Sequence, residues 1–418
     1  MRRSKQAGGV LVVAIAVLAG LVSVLALAAA SQRTATNTQI RRMESRRARI
    51  LAEAGIQRAL TELQDQVNSP TTVNDDWALL GQTGGEAFEL GNGNFRVQVV
   101  DAAGKVNINT ATQEQLELLP LEPEQVDCIL DWREAAQQPR PGGAKDEVYN
   151  QLTNPYNTKL GLFNSVDELL LVSGITARDL YTVRTDIERT TQPVRTSTGE
   201  QIELPLDELI TVDSVSQGIN ATGQAKLNVN QATAAQFVQR AQVSLPVAQA
   251  IIASRPNGGF TSIGQVLAVP LITPQTARTI LNECTTGGPN LAGKLNINTV
   301  PEEVLLTVPN LPPDAASAIV SRQSTGFTEL GELLDVPGLN NIALLSQVAG
   351  FFEVNSQSFL VRVVGRSGST QVALQATIAL ENGTPKVIRI EQPPYSNVLE
   401  IWGWEPDLVT TTTLKGTQ

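Results

Sequence analysis

From Val10 to Ala30 the chain runs for 21 residues without a charge, and Ser23 is the only polar side chain among them. At about 1.5 Å per residue, a helix of that length matches a hydrocarbon layer of roughly 30 Å, so the segment predicts a membrane span. Before it lies a short leader, residues 1–9, with Arg2, Arg3 and Lys5 and a Gly8-Gly9 end. That cationic flank predicts a cytoplasmic N-terminus and a body on the other side. The competing reading is complete removal as a secretory signal, because Ala28-Ala29-Ala30 resembles a cleavage site. Residues 31–69 argue for an anchor. No proline falls between Arg33 and Gln66, and Ile40, Met43, Ile50, Ala54, Ala59, Leu60 and Leu63 recur at steps of three, four and seven. The pattern predicts an amphipathic continuation of the same helix, with Gly55 as a weak breaker. The arginines on its other faces read as solvated or headgroup-facing.

Charge narrows the function classes. Of 31 basic and 41 acidic residues, ten and two fall in residues 1–60, which leaves 21 against 39 and a net −18 for the rest. A body this acidic repels phosphate backbones. There is no histidine, which removes the commonest general base and transition-metal ligand. No spacing of carboxylate, Lys, Tyr or Ser assembles an alternative, and an enzyme is not expected.

A short phrase occurs three times: Val106-Asn107-Ile108-Asn109, Leu227-Asn228-Val229-Asn230 and Leu295-Asn296-Ile297-Asn298, each after a lysine (Lys105, Lys226, Lys294). It reads as an extended stretch whose polar residues cap the helix that follows. A second short helix comes after a proline-marked break. Further half-units begin at Phe163, Phe260 and Phe327. Residues 106–350 therefore predict tandem helix-hairpin-helix units, which must stack to bury their faces. Such hairpins often bind DNA through a Gly-x-Gly turn. The breaks here hold prolines and acidic residues instead, so structural use is the better reading.

A cationic leader ending in Gly, an uncharged helix and an amphipathic continuation resemble the type IV pilin-like proteins. In that family prepilin peptidase cuts after the leader Gly, which implies Gly9 at the cut and Val10 as the mature N-terminus, with Gly8–Gly9 as the other reading. Most pilins carry Glu at the fifth mature position; here it is Ala14. The order Asp101, Gly104-Lys105, the Asn-Ile-Asn phrase, Asp131-Trp132-Arg133, Gly143-Ala144-Lys145-Asp146-Glu147 and Asn164-Ser165-Val166-Asp167-Glu168 is similar to the K-type minor pseudopilins of type II secretion systems, which also lack that Glu. The third copy of the phrase departs from that family's pattern.

The C-terminal period changes to two. Phe359–Gly365, Thr370–Leu380 and Lys386–Glu391 predict strands, with Glu381-Asn382-Gly383-Thr384 as a hairpin turn. Trp402 and Trp404 are expected to close the core. The expected class is α+β: a pilin-like long helix on an antiparallel sheet, interrupted by a large all-α insertion of SAM-like hairpin units. Its expected divisions are the leader 1–9, the assembly helix 10–30, its continuation 31–69, first strands at 70–105, the insertion 106–350, C-terminal strands 351–409 and a mobile tail 410–418.

Asp146, Glu147, Asp167 and Glu168 are candidate Ca²⁺ ligands, since calcium takes several oxygens and needs no histidine, and the resemblance implies calcium use; a solvated acidic loop is the alternative. Cys128 and Cys284 could pair outside the cytoplasm or stay separately buried. The resemblance implies a structural subunit that caps the pseudopilus tip and helps start its assembly for export across the outer membrane. Its implied partners are the I- and J-type minor pseudopilins, the major pseudopilin, prepilin peptidase and the bacterial inner membrane, with a periplasmic body. The competing function is a membrane-anchored DNA receptor of the competence type.

Overall fold

The computed structural model describes residues 5–64, 70–82, 84–183, 204–395 and 397–405. The tail 410–418 lies outside them. Helix α1 runs unbroken over Lys5–Leu63. Its apolar first part is exposed, whereas Ala48, Leu51, Ala52, Ile56, Ala59 and Leu63 are buried against a sheet. The alanines at 48, 52 and 59 permit close approach, and Gly55 and Gly365 complete it. A Cβ on Gly365 would strike the Ala48 carbonyl, and one on Gly55 would strike Val363. Gly55, read as a weak breaker, is instead where helix and strand touch.

The chain then forms β1 (Ala87–Leu90) and β2 (Gly93–Asp101), an antiparallel hairpin. After β2 it leaves the sheet for a helical insertion built as one plan repeated three times. In the first unit β3 (Val106–Asn107) pairs in parallel with β4 (Ile210–Thr211). A short β5 (Val215–Gln217) follows. In the second unit β6 (Leu227–Asn228) pairs with β7 (Cys284–Thr285). Next comes β8 (Asn290–Ala292), which runs antiparallel to β5. In the third unit β9 (Leu295–Asn296) pairs with β10 (Phe352–Glu353). Each clasp encloses two helical hairpins. In the second unit these are the helices Ala234–Arg240 with Leu245–Ala253, and Ile263–Leu267 with Pro274–Glu283. The half-units opened by Phe163, Phe260 and Phe327 are therefore second halves of the same units. The all-α expectation is amended by these strand clasps, whose two residues are too short to leave a period in the sequence.

The chain re-enters the sheet with β11 (Ser358–Ser367), β12 (Thr370–Glu381) and β13 (Thr384–Glu391). The order is β1-β2-β11-β12-β13, antiparallel throughout. Strand β11 is central, with both edges paired, and both of its faces are covered as well. Phe359, Val361 and Val363 pack in the cluster under α1, and Val364 joins Trp402 and Trp404 on the opposite face; successive strand residues alternate in this way. The two tryptophans thus form a satellite cluster rather than closing the main core. Asn382 and Gly383 take positive φ of 52° and 76°, as a two-residue hairpin turn requires.

Candidate functional site

The exposed half of α1 is the first candidate. The 18-residue window of highest hydropathy on α1 averages 2.9 and is unburied, making it the one described helix long and apolar enough to cross a membrane. Ser23 removes its polarity locally by donating to the Ala19 carbonyl at 2.8 Å. Gly9 and Val10 lie within the helical backbone, and Ala14 is exposed on it. No carboxylate therefore has to be desolvated in this stretch. Past the sheet's upper edge Glu44 sits over Gly368 and accepts from Thr370 Oγ1 at 3.3 Å.

The second candidate is the repeated asparagine pair, and its role differs from the capping expected. Asn107, Asn228 and Asn296 each accept, through Oδ1, the N–H of the second asparagine, at 2.9, 2.9 and 3.1 Å. Asn109, Asn230 and Asn298 then reach across the unit. Each accepts from the N–H of the half-unit phenylalanine (Phe163, Phe260, Phe327) and donates back to that residue's carbonyl at 3.0 Å. The same amide donates to Val212, Thr286 or Val354, just past the closing strand. Each side chain thus joins two hairpins and the clasp. The helix caps fall three residues further on, at Thr112 and Thr233, which accept from Gln115 and Gln236 N–H; Pro301 holds that place in the third unit without a side-chain bond. A donor from the first hairpin finishes each unit. Arg133 bonds the Ile108 and Ala111 carbonyls, Arg255 that of Ala232, and Gln323 those of Ile297 and Val300. These groups are spent on backbone, which leaves them unavailable to a phosphate.

The acidic loop does not assemble a calcium site. Asp146 accepts from Thr158 N–H at 2.7 Å, Asp167 from the Tyr181 hydroxyl at 2.7 Å, and Glu147 is exposed. Glu168 takes Lys159 Nζ at 2.7 Å, Asn164 N–H at 2.7 Å and Trp132 Nε1 at 3.0 Å. Burial opposes its charge, but those three donors together hold it below the ordinary carboxylate range. Asp131 is likewise taken by Arg140, at 3.1 Å. Of the four candidates Glu168 is met by a protein cation and Asp146 and Asp167 by neutral donors, and no group of three such ligands occurs among the described residues. The donor set does not fit Ca²⁺, which needs six or more free oxygens.

Cys128 and Cys284 are free and separately buried. The first lies on the helix Pro123–Arg133 and the second opens β7. Burial pushes their thiols up to about 11 and about 12, so neither is poised as a thiolate.

Sequence reasoning missed a buried ionic junction where the insertion leaves the sheet. Glu208 accepts from Arg362 at 2.5 Å and from Lys105 at 3.3 Å. Burial works against its charge, but Lys105 and Arg362 hold it down to about 2. Beside it, Asp207 is pushed up to about 7 by burial and by the Glu208 charge, and its Oδ1 has no hydrogen-bond partner. Arg362 also lies over the Trp402 ring, 5.4 Å from its centroid. Strand, linker and C-terminal segment meet here, and the two cations that hold Glu208 lie 103 and 154 residues from it in the chain.

Residues 103–185 match the family model "Type II secretion system (T2SS), protein K", and residues 223–285 match a helix-hairpin-helix motif model. Type II secretion system protein K of Pectobacterium carotovorum subsp. carotovorum is 24% identical over 305 residues, covering 66% of this chain and 84% of that protein. The crystal structure of the GspK-GspI-GspJ complex from the enterotoxigenic Escherichia coli type 2 secretion system aligns with a TM-score of 0.40. It shares 13% identity and covers 87% of this chain and all of that one, a likeness too loose to carry weight. The family model and the curated relative agree with the order of phrases in the sequence: residues 103–185 are similar to the protein K module of type II secretion.

Proposed function

We propose that the protein caps the tip of a periplasmic pseudopilus and helps start its assembly, with the I- and J-type minor pseudopilins and the major pseudopilin as neighbours. The observation that carries this reading is Ala14 on the exposed face of α1. In a packed helix bundle a fifth-position carboxylate answers the N-terminal amine of the subunit above; a subunit with nothing above it has no amine to answer, and a lone carboxylate in lipid is costly. The insertion supports the same place. Stacking such a head within a filament would crowd neighbours, whereas at the end it faces open space. Residues 1–9 are then the leader, cut between Gly9 and Val10, and the body lies in the periplasm. Its work is structural, with no catalytic step.

Two measurements test the reading. N-terminal sequencing after co-expression with prepilin peptidase is expected to begin at Val10; a start near Ser31 overturns it. Gold labelling of the helical domain on overproduced filaments is expected at one end, and label distributed along the length refutes capping.

A further inference from the structure

Past β13 the chain doubles back over the outer face of the sheet, the face opposite α1, as an arm formed by residues 392–395 and 397–405. The far end of the arm is tied down. Trp404 Nε1 donates to Gln98 Oε1 on β2 at 3.0 Å, and the Arg96 guanidinium lies 5.0 Å from the centroid of the Trp404 ring. Arg96 Nη1 also donates to the Glu405 carbonyl at 2.9 Å. Trp402 packs edge-on against Trp404, 5.1 Å between centroids, and donates from Nε1 to the Tyr395 hydroxyl at 3.2 Å. Between these ties the short helix Val398–Ile401 does not close on β11 and β12. It leaves a cavity of about 640 Å³ walled by Val364, Ala373, Tyr395, Val398, Leu399 and Trp404, within the roughly 300–1,000 Å³ of ligand pockets. Glu400 is the one charged side chain among the described residues that line it. Ala373, Val398 and Leu399 are only half-buried, so their apolar surface is still open to cover.

We infer that this cavity is the seat of the chain's own C-terminal segment, with Leu408 and Val409 filling it. Position supplies the first argument. Glu405, held by Arg96, directly follows a wall of the cavity, and residues 406–418 continue from there. Leu408 is four residues past Trp404, a reach of roughly 13–14 Å when extended, longer than a compact cavity of this volume is wide. Composition supplies the second. Leu408 and Val409 are the adjacent aliphatic pair in that segment, and four threonines follow them. Seating the pair takes apolar surface out of water on both sides of the contact, which is the favourable direction. Tethering decides against other occupants: a short linker holds the segment at an effective concentration in about the mM range, and a free ligand with equal contacts must exceed it. An anionic ligand finds no Lys or Arg among the described residues of the lining. The inference stands apart from the pseudopilin reading, and either can fail alone.

The test uses the full chain in nanodiscs with Ala373→Cys and Leu408→Cys, since Cys128 and Cys284 are buried. Mild oxidation is expected to close an intramolecular bond, at about tenfold the yield of Ala373→Cys paired with Gly416→Cys. Equal yields overturn the proposal. A bond formed only between two chains assigns the cavity to a second copy and also overturns it. A second measurement uses the chain ended after Glu405 and a fluorescent peptide of residues 406–418. Anisotropy is expected to show saturable binding, which Leu408→Asp in the peptide weakens about tenfold. The full chain, its cavity already occupied, is expected to bind the peptide at least about tenfold less tightly. Equal binding by the full and shortened chains overturns the proposal, as does no binding by a shortened chain that melts where the full chain does.

Discussion

Asn298 offers a direct measure of what the asparagine staples contribute. It is fully buried, accepts from Phe327 N–H at 2.6 Å and donates to the Phe327 and Val354 carbonyls at 3.0 and 3.4 Å. Asn298→Ala strands one N–H and at least one carbonyl away from water. At about 1–3 kcal/mol per buried unsatisfied group, the expected loss is about 3–4 kcal/mol. Asn109 makes the same bonds but is only half-buried, so water can replace part of them and Asn109→Ala is expected to cost about 1–2 kcal/mol. Asn298→Asp keeps the acceptor for Phe327 N–H but turns a charged oxygen toward two carbonyls. It is expected to be worse than alanine at neutral pH and to recover in acid, where the protonated group donates again. Urea unfolding of the full chain in detergent, with hydrogen exchange to isolate the third unit, reads these differences. The staple account is refuted if alanine at 298 costs under about 1 kcal/mol, or if the two sites cost the same.

Leu271 is exposed and holds a φ of +75° at the turn where the other two units place Gly174 and Gly338; Leu271→Gly should raise stability by about 0.5–1 kcal/mol, the relief of the left-handed strain outweighing glycine's entropy, and a lowered melting point would refute this. Asp207 is pushed up to about 7, above its unfolded value, so the stability it lends is complete below that unfolded value and lost as pH rises through about 7. Glu208, held at about 2, acts in the opposite sense only at lower pH. Asp207→Asn is expected to flatten the fall in melting temperature between pH 5 and roughly pH 8; a slope equal to that of the parent chain counts against the junction as described.

What the sequence made legible was local. The β12–β13 turn was readable because Asn382-Gly383 is itself the backbone requirement. The triple phrase was readable as a repeat, but its chemistry was not: Asn298 meets Phe327 and Val354, 29 and 56 residues away, and no local pattern encodes such partners. A cap was the nearest local explanation for a polar residue before a helix. Glu208 was passed over for the same reason. Its weight comes from Lys105 and Arg362, 103 and 154 residues distant. The acidic loop misled because composition does not show that Lys159 already meets Glu168, or that Asp146 and Asp167 accept from Thr158 N–H and the Tyr181 hydroxyl.

The insertion leaves the sheet after Asp101 and returns at Phe359, and those two residues are Cα partners on adjacent strands. To the sheet, everything between them is a single closed loop. Closure entropy grows only with the logarithm of loop length, about 0.6 kcal/mol per doubling. A third unit, once it buries its own core, therefore costs the pilin-like half almost nothing. The number of units is free to vary, while the packing of α1 on its sheet stays the same.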